Sequence, residues 1–205
     1  MPPFDFRIYA LHGVFWLAFA IGDLGARIRN RDVSRAPAPS ASNDTERPPL
    51  EAPRAGLLVA IHMLAFALMY AGIGNAVFGR RMATSPGQPL RVAGVVVILA
   101  GGVLVGWARL AFTSWRFRAR LDAGHQLATG GPFRFIRHPI YAGLDLLALG
   151  TALWMPTTLT ILAVPAMALG GELRARAEEP LLEHAFGDAY REYRRRTKRF
   201  IPRVY

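Results

Sequence analysis

The sequence contains no cysteine and only one lysine, Lys198. Disulfides, thiolate metal sites and cysteine nucleophiles are therefore excluded, and no metal is expected. Acidic residues are scarce as well, 14 against 25 basic ones, which leaves a net charge of +11. Arginine supplies every basic side chain but one, a usage that reflects a GC-rich genome more than nucleic-acid binding. The arginines flank apolar blocks, so the charge reads as membrane-surface charge and no nucleic-acid partner is expected. A dinucleotide loop is missing too. Gly72, Gly74 and Gly79 miss its spacing and fall within an apolar run.

What the chain does have is apolar sequence in blocks. Its 205 residues are one domain's worth, 52% of them hydrophobic, with a mean hydropathy of +0.22. Residues 8–25 form a first apolar run. Arg7 precedes it, as in a signal peptide, but no small-residue cleavage site follows, so it reads as a retained span. Residues 26–54 are rich in Arg, Pro, Ser and Asn and read as a disordered loop. Residues 55–78 and 92–112 give a second and a third span, and Gly102 and Gly106, four apart, suit close helix packing.

Residues 140–154 and 157–171 are two further runs, each short of the ~20 residues of a full crossing, so a tight helical hairpin is expected. The second run continues into Glu172–Glu179. Pro180 then opens a separate tail helix with Leu182, Phe186, Tyr190 and Tyr193 on one face. The expected fold is all-α and integral to the membrane, with about five transmembrane helices. Residues 1–112 hold three of them. Residues 113–205 form a catalytic half, built from the hairpin, the loop before it and the amphipathic tail helix.

Basic residues fix the expected orientation. If all five spans cross, the segments 26–54, 113–138 and 173–205 share one side and carry twenty of them, against four on the other. The positive-inside rule puts the three segments in the cytoplasm, of a bacterial inner membrane if the GC-rich reading holds.

Two of these segments hold the polar residues that ask for a function. Gly130-Gly131-Pro132 makes a turn, and His138 before Pro139 reads as the cap and first residue of a helix. Arg137, His138 and Tyr141 thus cluster at the mouth of a membrane helix, where polar groups are costly. Tyr141 and Asp145 share a face, as do Arg174 and Glu178 where the last span ends. Arginines and a helix N-terminus suit an anionic group, while carboxylates and tyrosine rings suit a cationic one. A zwitterion bearing a sulfonium would use both. Arg109 within the third span could snorkel or pair with Asp145. His12 and His62 read as packing residues.

The stretch from Gly124-His125-Gln126-Leu127-Ala128 through Phe133 to Arg137-His138-Pro139-Ile140-Tyr141-Ala142-Gly143 resembles the isoprenylcysteine carboxyl methyltransferase family. So does Glu178-Glu179 followed by Phe186-Gly187, Tyr190, Tyr193, Arg199 and Pro202. The resemblance covers the C-terminal half and implies an integral membrane methyltransferase that uses S-adenosylmethionine without a Rossmann domain. Carried over by position, it assigns the cofactor to His125, Gln126, Leu127, Ala128, Phe133, His138, Pro139, Ile140, Tyr141 and Glu178. It assigns the substrate's acidic group and the reaction to Arg137 and Arg174. Phe133 stands where the family often has tyrosine, and Ser114 stands before Trp115 where bacterial members often have asparagine.

The implied activity is methyl transfer to a lipid-soluble or small acceptor, a carboxylate, thiol or amine that enters from the bilayer. A membrane NADPH-dependent reductase of related architecture and a non-enzymatic membrane scaffold are the competing readings.

Overall fold

The computed structural model describes residues 7–34, 50–51, 54–79, 86–111, 120–121 and 127–205. Six α-helices carry it: α1 (Arg7–Ser34), α2 (Ala55–Gly79), α3 (Gln88–Ala111), α4 (Pro139–Trp154), α5 (Thr158–Phe186) and α6 (Asp188–Arg196). A two-residue antiparallel pair, Leu50–Glu51 with Arg120–Leu121, is the one ladder named among the described residues. The architecture is the all-α membrane fold that the apolar blocks predict. Three helices, α1 to α3, are long and apolar enough to cross a bilayer. Large apolar side chains such as Leu17, Leu64 and Val103 stay exposed on them, as lipid-facing residues do.

The first helix runs on to Ser34. Residues 26–34, expected in a loop, are therefore helical, since Arg and Asn do not stop a helix as proline does. Residues 35–49, 52 and 53, the rest of that loop, lie outside the described residues.

Glycines set the distance between α3 and α4. A Cβ on Gly101 would come within 2.8 Å of the carbonyl oxygen of Gly143, and one on Gly94 within 2.7 Å of that of Gly150. The two backbones touch along most of α4, a packing that only small residues permit in a membrane. Gly102 and Gly106 face α1 instead, with Phe15 and Ala18 against them.

The hairpin is there. Thr157 caps α5 by accepting from the Thr160 backbone N–H at 3.1 Å, and Thr160 Oγ1 accepts from the Thr157 backbone N–H at 2.9 Å. This reciprocal capping satisfies two donors at the turn after Trp154. α4, at 16 residues, spans about 24 Å at ~1.5 Å per residue, short of a ~30 Å hydrocarbon core.

Pro180 does not start a new helix. α5 passes through it unbroken to Phe186, because the N–H that proline lacks is missing on an exposed face where water can serve the freed carbonyl. The break comes at Gly187, whose φ of 52° only glycine adopts cheaply. The tail helix is thus α6 alone, with Asp188 in its first turn and Arg194–Arg196 in its last, the order its dipole favours.

Buried polar side chains join the N-terminal helices to the hairpin. His12 bonds Thr151 at 2.9 Å and Tyr70 at 3.2 Å. His62 bonds the Met167 sulfur at 3.1 Å and packs its ring against Phe66 and Tyr141. Both histidines are packing residues. Arg109 does not reach Asp145. It pairs with Asp23 of α1, because the small residues on α3 bring α1 close on that side.

Candidate functional site

His138 caps α4 with Pro139 at its first position, as the sequence dictates. The residues before the cap are held by the tail. Ile136 forms a parallel bridge with Lys198, the Arg137 N–H donates to the Lys198 carbonyl at 2.7 Å, and the His138 N–H to that of Arg199 at 3.1 Å. The mouth of α4 is therefore walled by residues far along the chain.

Tyr141, one turn in, donates its hydroxyl to Glu178 Oε1 on α5. His138 Nδ1 is 3.6 Å from Glu178 Oε2 and its ring lies nearly parallel to that of Tyr141, 11° between planes. The buried Arg174 guanidinium lies 4.9 Å from the centroid of the same ring. One aromatic ring is thus flanked by an imidazole and a guanidinium, with a carboxylate on its hydroxyl. His138 Nε2 comes within 3.4 Å of Glu179 Oε1 but without hydrogen-bond geometry, so it is a buried nitrogen without a hydrogen-bond partner among the described residues.

Glu179 anchors the other end. Arg137 Nε donates to its Oε1 at 3.0 Å, and Arg199 donates to both of its oxygens, at 3.0 and 2.7 Å. Burial alone would raise the carboxyl's pKa. The neighbouring His138 imidazole, the hydrogen-bonded Arg199 and the charge of Arg137 outweigh that and hold it well below the ordinary glutamate range. Arg137 also donates to the Thr197 carbonyl. Arg199 reaches on to Glu172 Oε1 at 2.8 Å, which Tyr205 also bonds at 2.8 Å. α5 and the tail are closed on each other by this network.

Of the residues assigned from sequence, the fold brings Arg137, His138, Pro139, Tyr141, Arg174 and Glu178 together. Phe133, Ile140 and Ala128 lie next to them in a separate apolar cluster with Ala108, and the Phe133 carbonyl accepts from the Tyr193 hydroxyl at 2.8 Å. Leu127 is half-buried beside them. His125 and Gln126 lie outside the described residues. Glu172 and Arg199 had no role assigned from sequence, and Glu179 entered only as part of the Glu178-Glu179 motif. Glu172 and Glu179, seven apart on one helix face, carried the available signal.

On the adjoining face of α4 lies a cavity of about 670 Å³. Trp107 of α3, Pro132, Ala142 and Asp145 of α4, Glu172 of α5 and Phe200 of the tail are among its walls. His138 and Tyr141 turn to the Glu178 side and are not part of this wall.

Residues 90–189 match the phospholipid methyltransferase family. Over 87 residues, 42% of this chain, the sequence is 33% identical to protein-S-isoprenylcysteine O-methyltransferase of Schizosaccharomyces pombe. The chain spans 37% of that relative's length. All of this chain superposes on 69% of a solved structure described as the eukaryotic intramembrane Ras methyltransferase, isoprenylcysteine carboxyl methyltransferase, with a TM-score of 0.58 and 21% identity. That likeness is one of fold. The resemblance first read from the Arg-His-Pro and Glu-Glu motifs is borne out by all three comparisons.

Proposed function

We propose that this chain, whose C-terminal half resembles the isoprenylcysteine carboxyl methyltransferase family, is a membrane methyltransferase that uses S-adenosylmethionine. The acceptor is a lipid-soluble or small molecule reaching the site from the bilayer. The observation that carries the reading is the convergence of His138 and Tyr141 at the start of α4 on Glu178 and Arg174 of α5.

The residues fit such a cofactor. The Tyr141 ring and the Glu178 carboxylate suit its positive end. Arg174, His138 Nε2, which makes no hydrogen bond among the described residues, and the N-terminus of α4 suit its carboxylate. Leu127, Ala128, Phe133 and Ile140 supply the apolar surface, and the resemblance adds His125 and Gln126, just before them in sequence. When bound, the cofactor supplies a methyl group on a cationic sulfur.

The chain's own part is to bind, orient and exclude water, which is most of what methyl transfer needs. Arg174 touches the Tyr141 ring and remains the arginine placed to meet reacting groups. Arg137 is held by Glu179 and Thr197 and acts as a positioning residue, fixing the tail against the start of α4. In this reading the catalytic loops and the tail face the cytoplasm of a bacterial inner membrane, the side the basic residues favour.

Isothermal titration of the detergent-solubilised chain with S-adenosylhomocysteine and with NADPH tests it. Saturable binding of the first and none of the second is expected. Binding of NADPH alone would point to the reductase, and binding of neither to a scaffold.

A further inference from the structure

His62 belongs to α2, a helix that the family match, which begins at residue 90, does not reach. Its side chain is fully buried, and the surface it packs on is the candidate site. The imidazole stands 5.8 Å from the Tyr141 ring, centroid to centroid, with Phe66 stacked on it as well. It also lies near enough to Arg174 to feel that charge.

Two glycines of α5 allow this approach. A Cβ on Gly170 would come within 3.1 Å of the His62 Cα, and one on Gly171 within 3.3 Å of the Tyr141 Cβ. One glycine seats α2 and the next seats α4. His62 and Tyr141 therefore meet beside α5, with Arg174 one turn further along it.

The hydrogen bonding of His62 is incomplete. Nε2 stands 3.1 Å from the Met167 sulfur. A thioether can only accept, so Nε2 carries the proton, and in the neutral ring Nδ1 is left as an acceptor. Nδ1 is buried and has no hydrogen-bond partner among the described residues. A phenylalanine or leucine would fill the same space without burying an unsatisfied polar atom, which is costly. The imidazole thus holds an acceptor ready for a donor that the described residues do not supply.

The proposed cofactor carries a donor not yet placed. Its sulfonium is matched by Tyr141 and Glu178, and its carboxylate by Arg174. The α-ammonium group sits on the carbon next to that carboxylate, so it comes to lie beside Arg174 with three N–H donors to satisfy. His62, Arg174 and Tyr141 are 0%, 2% and 4% exposed, so they close over one another and a ligand that parts them meets all three.

We infer that His62 of α2 is a cofactor-binding residue whose Nδ1 accepts from the α-ammonium group. The inference rests on the methyltransferase reading and extends its site into the N-terminal half of the chain.

Isothermal titration of the detergent-solubilised full chain tests it with two ligands, S-adenosylhomocysteine and its deamino analogue, which keeps the carboxylate and lacks the ammonium group. The wild type binds the first roughly tenfold more tightly, the worth of one hydrogen bond to a charged group. His62→Phe keeps a ring between Tyr141 and Phe66 and brings the two ligands to near parity. A merely structural histidine would weaken both ligands alike and leave their ratio unchanged. An unchanged ratio in His62→Phe therefore overturns the inference. Equal binding of the two ligands by the wild type overturns it too, and this arm decides even if the variant is not recovered. Binding of both without preference sinks this inference alone, whereas binding of neither sinks the methyltransferase reading.

Discussion

Arg137 and Glu179 stand 42 positions apart and share a hydrogen bond of 3.0 Å between side chains that are 9% and 5% exposed. Arg199 holds the same carboxylate from the tail. Three segments meet at one glutamate: the turn before α4, the C-terminal part of α5 and the strap after α6. The shape of the mouth of α4 depends on that carboxylate more than on any local turn.

Replacing Arg137 with Ala is expected to destabilise the chain by about 3 kcal/mol, the low end for breaking a buried pair, since Arg199 still partners Glu179. Thermal unfolding in detergent reads this out. A double-mutant cycle with Glu179→Ala should give a coupling of more than about 1 kcal/mol. A coupling near zero would show that the pair holds nothing.

The same carboxylate sets an acid limit. Its folded pKa lies below the unfolded value of 4.5. The stability it contributes is therefore fully present above that value and is lost as pH falls through the lower, folded one. The unfolding midpoint of the wild type minus that of Glu179→Gln should stay constant from neutral pH to about 5. It should shrink only in stronger acid. A difference already shrinking at pH 6 would contradict the assignment.

Tyr141→Phe removes one hydroxyl and leaves the ring beneath Arg174. Loss of a hydrogen bond to a charged group is worth ~1.5–3 kcal/mol. The unfolding midpoint should fall accordingly, and affinity for S-adenosylhomocysteine should fall with it, because the Glu178 carboxylate loses the donor that orients it. Unchanged affinity would place the cofactor elsewhere.

Gly143→Ala puts a methyl group 2.9 Å from the Gly101 carbonyl oxygen, where backbone rather than a flexible side chain must give way. Overpacking of this kind costs about 1–3 kcal/mol. Gly56→Ala, where nothing lies within 4 Å, is the matched control and should be neutral or slightly stabilising. Equal midpoints for the two variants would mean that α3 and α4 can part without penalty.

Sequence reasoning worked where the signal is local. His138 as cap, Pro139 as first helical residue and the α4–α5 hairpin each follow from a few neighbouring residues. The contact of Tyr141 with Glu178 follows once the hairpin is drawn, because it folds the two ends onto one another. The partner of Arg109 was not legible. Asp23 and Asp145 are both one carboxylate in an apolar helix, and only the seating of α1 on the glycines of α3 chooses between them. Pro180 misled for a related reason, since a proline that breaks a buried helix is tolerated where its orphaned carbonyl faces water. Arg199 could not be placed at all, because its strap follows a glycine turn whose direction no spacing specifies.

The glycine contacts between α3 and α4 have a mechanical meaning. Two backbones in contact at Gly94–Gly150 and Gly101–Gly143 behave as a single bar, with Ile98 and Val105 of α3 seated against the glycines of α4. Whatever enters beside α4 gains nothing by prying at that seam. The opposite side of α4 is closed in another way, by Arg137 and Arg199 on Glu179 and by Arg199 on Glu172, contacts of charge rather than of backbone.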